Sequence, residues 1–163
     1  VNKSILQGFE IVNELNSQAQ AKQRLSQDRI LPVAIVVAVN KEAQGQSIKA
    51  INDAIETFIL NLKEHIETKQ NLELALIQTA DYCRVVTSLK PVQDIHSIPL
   101  LGAYGKDLAM VQGLEVAFNM LLTREHKLKN NDIKVKRPWL ILVTDGLGDD
   151  YGEETAKNYI AIV

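Results

Sequence analysis

The chain has 163 residues, 46% apolar and 23% charged, the composition of a one-domain globular protein. Its net charge of -2 gives no electrostatic drive toward nucleic acid or an anionic membrane, and no apolar run approaches the length of a bilayer span. The lone Cys83 can form neither an internal disulfide nor a metal cluster, so a reducing, cytoplasmic setting is expected.

Nothing at the N-terminus reads as a signal peptide, and the chain opens on Val1, as a fragment would. Ser4 to Gln27 reads as a helix. Ile5, Phe9, Val12 and Leu15 make one apolar stripe, and the other face is rich in Asn, Gln and Ser. Residues 1–28 are therefore set apart as an N-terminal helix docked on the flank of a domain spanning 29–163, with partner binding through the stripe as the alternative.

Leu31 to Val39 is a β-branched run and reads as a strand buried on both faces. A polar loop from Asn40 to Gln46 contains Gly45. Ser47 is then expected to cap a helix in which Ile48, Ile51, Ile55, Phe58, Leu62 and Ile66 recur at three- and four-residue spacing. Strand, short loop and helix begin a βαβ unit. Leu72 to Thr79 and Tyr82 to Thr87 read as two strands with a hairpin-sized gap at Ala80-Asp81, hence antiparallel neighbours. A proline-containing connection from Lys90 to Leu101 and a flexible loop from Gly102 to Asp107 follow. The next helix is predicted over Leu108 to Leu122, with Leu108, Val111, Leu114, Phe118 and Leu121 inward, and Thr123 to Lys136 as an exposed basic loop.

The run Pro138-Trp139-Leu140-Ile141-Leu142-Val143-Thr144-Asp145-Gly146 reads as a buried parallel strand. It delivers one carboxylate, Asp145, to the carboxyl-end rim of the sheet, where open α/β folds place their sites. A short helix over Asp149 to Ala156 and a last strand over Tyr159 to Val163 complete the pattern. The fold expected is α/β, three-layered and Rossmann-like: a mostly parallel central sheet with one antiparallel edge strand and helices on both faces.

This order of elements resembles the von Willebrand factor A (VWA) domain, in particular the bacterial cytoplasmic branch tied to tellurium-resistance and stress operons. The resemblance spans Arg29 to Asp150. It is carried by Leu31-Pro32-Val33, by Gly45 with Ile48-Lys49-Ala50-Ile51-Asn52, and by Arg137-Pro138-Trp139 leading to Thr144-Asp145-Gly146. The family implies a metal-ion-dependent adhesion site, in which hydroxyls and carboxylates hold Mg²⁺ with one position left for a partner's carboxylate. Laid on this sequence, its Asp-x-Ser-x-Ser falls on Ala38-Val39-Asn40-Lys41-Glu42 and its Thr on Leu108, leaving only the fourth-strand Asp145. Lys41 and Lys106 share the rim and supply positive charge in the metal's place, with Asp145 expected to pair with one of them or with loop amides. Asn40, Glu42 and Asp145 could still form a reduced metal site. Too few residues separate Asp145 from the Tyr159 strand for a full helical layer, so either the C-terminus is truncated or the last helix is vestigial.

Other chemistries find less. Leu142 to Asp150 resembles a phosphoribosyltransferase pyrophosphate loop, but the acidic pair Asp149-Asp150 comes late. Gly102 to Lys106 lacks the spacing and hydroxyl of a phosphate loop. His65, His96 and His126 are not at metal-ligand spacing, and no base–nucleophile pair can be assembled. The expected function is a non-enzymatic protein-interaction module, without cofactor. Its partner-binding rim comprises Asn40, Lys41, Glu42, Gly45, Tyr104, Lys106, Asp145 and Asp149. The alternatives are a Mg²⁺-dependent adhesion module using Asn40, Glu42 and Asp145, and a small-molecule enzyme using Asp145.

Overall fold

In the computed structural model the described residues are 29–65 and 71–144. The expected N-terminal helix, the Asp149–Ala156 helix and the Tyr159–Val163 strand lie outside them.

The β-branched run forms β1, Arg29–Ala38, the central strand. From Val33 to Ala38 it is buried on both faces, because strands flank it on both edges and helices cover both sides. β2 (Leu72–Thr79) runs parallel to it, from Leu31 opposite Leu72 to Ala38 opposite Thr79. β3 (Cys83–Pro91) pairs antiparallel with β2 at the sheet edge, as the short Ala80-Asp81 gap requires. On the other edge of β1 lie the two-residue β4 (Lys134–Val135) and β5 (Trp139–Thr144), both parallel to it. Lys134 sits opposite Arg29 and Trp139 opposite Val33, so five residues of advance match four on β1. The extra residue falls by Pro138, which has no N–H to give the ladder, and β4 and β5 read as one strand interrupted there. The sheet is thus mostly parallel with one antiparallel pair, as expected.

Alternation along β1 decides which helix each residue meets. Val33, Ile35 and Val37 point to the side of α1 (Gln46–Glu64), where Ile55, Ile59, Leu74 and Leu76 join them. Ala34, Val36 and Ala38 point to α2 (Met110–Lys129) and pack with Ala75, Ile77, Leu114, Ala117 and Leu121. The small residues on the second face let α2 come close. At Gly113 an added Cβ would lie 2.2 Å from Thr79 Cγ2 and 3.0 Å from Val36 Cγ1.

Several expectations are corrected. Ser47 does not cap α1: Gly45 is the N-cap, at φ 85°, and contributes no side-chain bond. Ile59 is the deep anchor of α1, whereas Phe58 is 40% exposed. The second helix starts at Met110 and continues to Lys129, taking in residues 123–129 that read as a basic loop. It continues because Leu128 still reaches the core and Arg124 bonds Glu73 of β2. The Lys90–Leu101 connection is partly structural: Lys90-Pro91 end β3, and Val92, Ile95 and Leu101 are buried in the α1-side core. β5 is half-buried, not buried on both faces: α1 leaves Ile141 and Val143 partly open, and among the described residues no strand pairs with its outer edge.

Candidate functional site

The parallel strands β1, β2 and β5 end together at one rim, and β3 starts there. Over this rim runs the segment from Leu101 to Ala109, which joins the edge of the sheet to α2. The sequence reads it as a flexible loop. The structure instead shows it bonded almost residue by residue to the elements beneath.

Asn52 of α1 holds the first position from both sides. Its Oδ1 accepts from the Leu101 N–H at 2.8 Å, and its Nδ2 donates to the Leu101 carbonyl at 3.0 Å. Gln78 of β2, fully buried, donates to the Gly102 carbonyl and accepts from the Arg84 guanidinium at 2.9 Å. Gln44 donates to the Ala103 carbonyl at 3.3 Å. The Lys41 N–H donates to the Gly105 carbonyl at 3.1 Å, and Asn40 Nδ2 to the Lys106 carbonyl at 3.2 Å. The Ala109 N–H donates to the Ala80 carbonyl at 2.6 Å. A loop crossing buried sheet ends must find partners for its backbone groups, and here polar side chains supply many of them.

Asp81, in the β2–β3 turn, closes the arrangement. Its Oδ1 accepts from the Lys106 N–H at 2.7 Å and from the Asp107 N–H at 2.9 Å. These two N–H donors, Asp107's first, together with the Lys106 and Lys41 cations, hold the Asp81 carboxyl below the usual aspartate range. The turn over this carboxylate is possible only because Gly105 is at φ 75° and has no Cβ: one would lie 2.6 Å from the Asp81 carboxyl. Beside it the rings of Tyr82 and Tyr104 meet, centroids 5.7 Å apart. Burial, and then the neighbouring Tyr82 phenol, push the Tyr104 phenol up.

The structure therefore brings Asn40, Lys41, Tyr104 and Lys106 together. Asn40 is a loop clasp: its Oδ1 accepts from the Glu42 N–H at 2.8 Å while its Nδ2 holds Lys106. The side chains of Lys41, Glu42 and Lys106 are exposed. Gly45 lies where the same polar loop enters α1. Asp145 and Asp149 lie outside the described residues, and so does the expected pairing of Asp145 with Lys41 or Lys106. Sequence reasoning missed Asp81, Gln78, Asn52 and Gln44. The one available signal was an acidic residue in a tight turn facing a Gly-x-x-Gly loop, where Asx bonding to backbone N–H groups is common.

The described residues do not fit a divalent cation. Ala38 is fully buried and carries no ligand atom, and Leu108 packs on the α2-side core. The Asn40 oxygen is already bonded to a backbone N–H. Among the described residues no three His, Cys, Asp or Glu side chains converge. No described helix is long and apolar enough to cross a membrane. What the rim offers chemically is a fixed, mixed-charge surface with two tyrosines.

No protein-family model matches the chain, and no curated protein sequence does. Solved structures do. The vWF domain of the type V pili tip protein Mfa5 from Porphyromonas gingivalis superposes with a TM-score of 0.52 at 17% identity, over 74% of this chain and 39% of that one. A structure of three N-terminal domains of the same protein gives 0.51 and 17%, over 74% and 20%. This chain thus spans well under half the length of the neighbours it matches, and at this identity the likeness speaks to fold. The sheet order, the single antiparallel pair and these neighbours agree that the chain has a VWA-like, Rossmann-type α/β fold.

Proposed function

We propose that the chain is a non-enzymatic protein-interaction module of VWA type whose metal site has decayed. It meets a protein partner at the carboxyl-end rim formed by Asn40–Gly45, Tyr104–Lys106 and the segment from Asp145 to Asp149. The observation that carries this reading is the Leu101–Ala109 loop, held by Asn40, Gln78, Asp81 and Asn52 in place of oxygen ligands around a cation. A rim fixed before binding loses little entropy on association, and the exposed Tyr82 and Arg84 beside it are residue types enriched in binding hot spots. The neighbours' place in a pilus tip protein is consistent with a role in protein contact. A cytoplasmic setting and kinship with the tellurium-resistance branch belong to the same proposal, supported by the lone Cys83 and by the sequence anchors.

The test is site-specific photo-crosslinking in cells of the source organism. A crosslinker at Lys41 or Tyr104 is expected to trap the same protein partner, and one at Lys127 or Lys129, at the far end of α2, is not. Adducts at both ends alike, or none at the rim, would overturn the assignment.

A further inference from the structure

One opening among the described residues is lined by apolar side chains throughout, and it is not at the rim. It is a groove of about 430 Å³ on the α1 side of the sheet, walled by Ala50, Ala54 and Phe58 of α1, Ile35 of β1, and Ile141 and Val143 of β5. Helix α1 covers β1 and β2 but leaves β5 open on this face, which is why Phe58 is 40% exposed and Ile141 and Val143 only half-buried. The groove carries small residues one helical turn apart, Ala50 and Ala54, which let a second helix lie close to α1.

We propose that this groove is covered by the chain's own N-terminal segment, Ser4–Gln27, laid as a helix antiparallel to β1 with its Ile5, Phe9, Val12 and Leu15 stripe inward. Three observations converge. The stripe advances ten residues, about 15 Å of helix, and the α1 wall from Ala50 to Phe58 advances eight, about 12 Å. The segment runs directly into β1 at Arg29, and Ile35 lies six residues further, about 20 Å along the strand. A helix returning from Asp28 covers 20 Å in about 13 residues, which brings Leu15 level with Ile35 and its partner Ile141, and Val12 toward Val143.

The competing occupants fit less well. Residues 145–163 follow β5 at the top of the groove, but their apolar part, Tyr159 to Val163, reads in sequence as a strand and suits the edge of β5 that has no partner among the described residues. A second copy would have to displace a segment already tethered beside the groove at high effective concentration. The inference stands apart from the rim, on a different surface.

The test uses the full chain with Cys83→Ala, Val12→Cys and Ala54→Cys, oxidised mildly with copper phenanthroline. An intramolecular disulfide, read as loss of both free thiols in a monomer, is expected. The control pair Val12→Cys with Lys127→Cys, on the opposite helix, should stay reduced. In parallel, Phe9→Asp in the otherwise native chain should lower the thermal midpoint and raise the fluorescence of an apolar dye. No Val12–Ala54 bond would overturn the proposal. So would a bond formed only between two chains, or capture of Ala54→Cys by a cysteine placed at Ile160 in preference to Val12.

Discussion

At the scale of single residues, Gly105 and Asp81 form one device. Gly105→Ala forces an L-residue to φ 75° and drives a methyl into the Asp81 carboxyl, so the carboxylate must leave its two N–H donors. Left-handed strain alone costs about 1–3 kcal/mol, and a stability loss of that size in urea unfolding is the expected outcome. Asp81 itself gives a pH signature. Its folded-state pKa is depressed, so its stabilising contribution is present above the unfolded-state value, near 4, and is lost as pH falls through the lower folded value. The gap in stability between the native chain and Asp81→Ala should therefore be open at neutral pH and close on acidification below about pH 4. A gap that stays constant across that range would mean the carboxylate charge is not what holds the loop. Little of this was legible beforehand: beyond its place in a tight turn Asp81 has no local mark, because the two N–H groups it meets lie 25 and 26 positions away in sequence.

At the scale of elements, close packing competes with helix propensity. Gly113 sits inside α2, where Ala is favoured by about 1 kcal/mol. Against that stands a Cβ 2.2 Å from a methyl of Thr79, a β-branched residue fixed in a fully buried strand, and overpacking of this kind costs about 1–3 kcal/mol. The clash should win, making Gly113→Ala a net loss. Adding Thr79→Ala should recover most of it, since the Thr79 hydroxyl is buried with no hydrogen-bond partner to forfeit. Chemical denaturation of the single and double variants decides. Lower on the same helix, Arg124 forks onto Glu73 of β2 at 2.7 and 2.5 Å, and Glu73 is 4% exposed. Arg124→Ala strands a buried carboxylate and should cost about 3 kcal/mol, while replacing both partners by Leu should cost much less. The same pair explains an error of reading. Periodicity ends the helix at Leu122 because Arg124 looks like a solvated charge, and only the partner on a strand 51 positions away makes it an inward residue.

At the scale of the whole molecule, the strands were legible because burial imposes it. β1 is apolar after Arg29, and from Val33 to Ala38 it is covered on both faces, while the β2–β3 gap is too short for anything but an antiparallel return. The rim was only half legible: Asn40, Lys41, Tyr104 and Lys106 do come together, but the bonds holding them run between segments that no local pattern links, and Asp145 lies outside the described residues. What the whole arrangement does predict is indifference to divalent cations. An ion binding only the folded state at 100 times its dissociation constant adds about 2.7 kcal/mol, which for a domain near this size raises the thermal midpoint by roughly 5–10 °C. Oxygen is missing at Ala38 and Leu108, and the Asn40 oxygen is already engaged. A scan with millimolar Mg²⁺ or Mn²⁺ should accordingly leave the midpoint where EDTA leaves it. A rise of several degrees that disappears in Asp145→Ala would restore the cation-dependent reading, with Asn40 giving up its clasp on Lys106 and Glu42 to become a ligand. Because that exchange would free the loop it now holds, the same ion should then also change proteolytic sensitivity between Leu101 and Ala109.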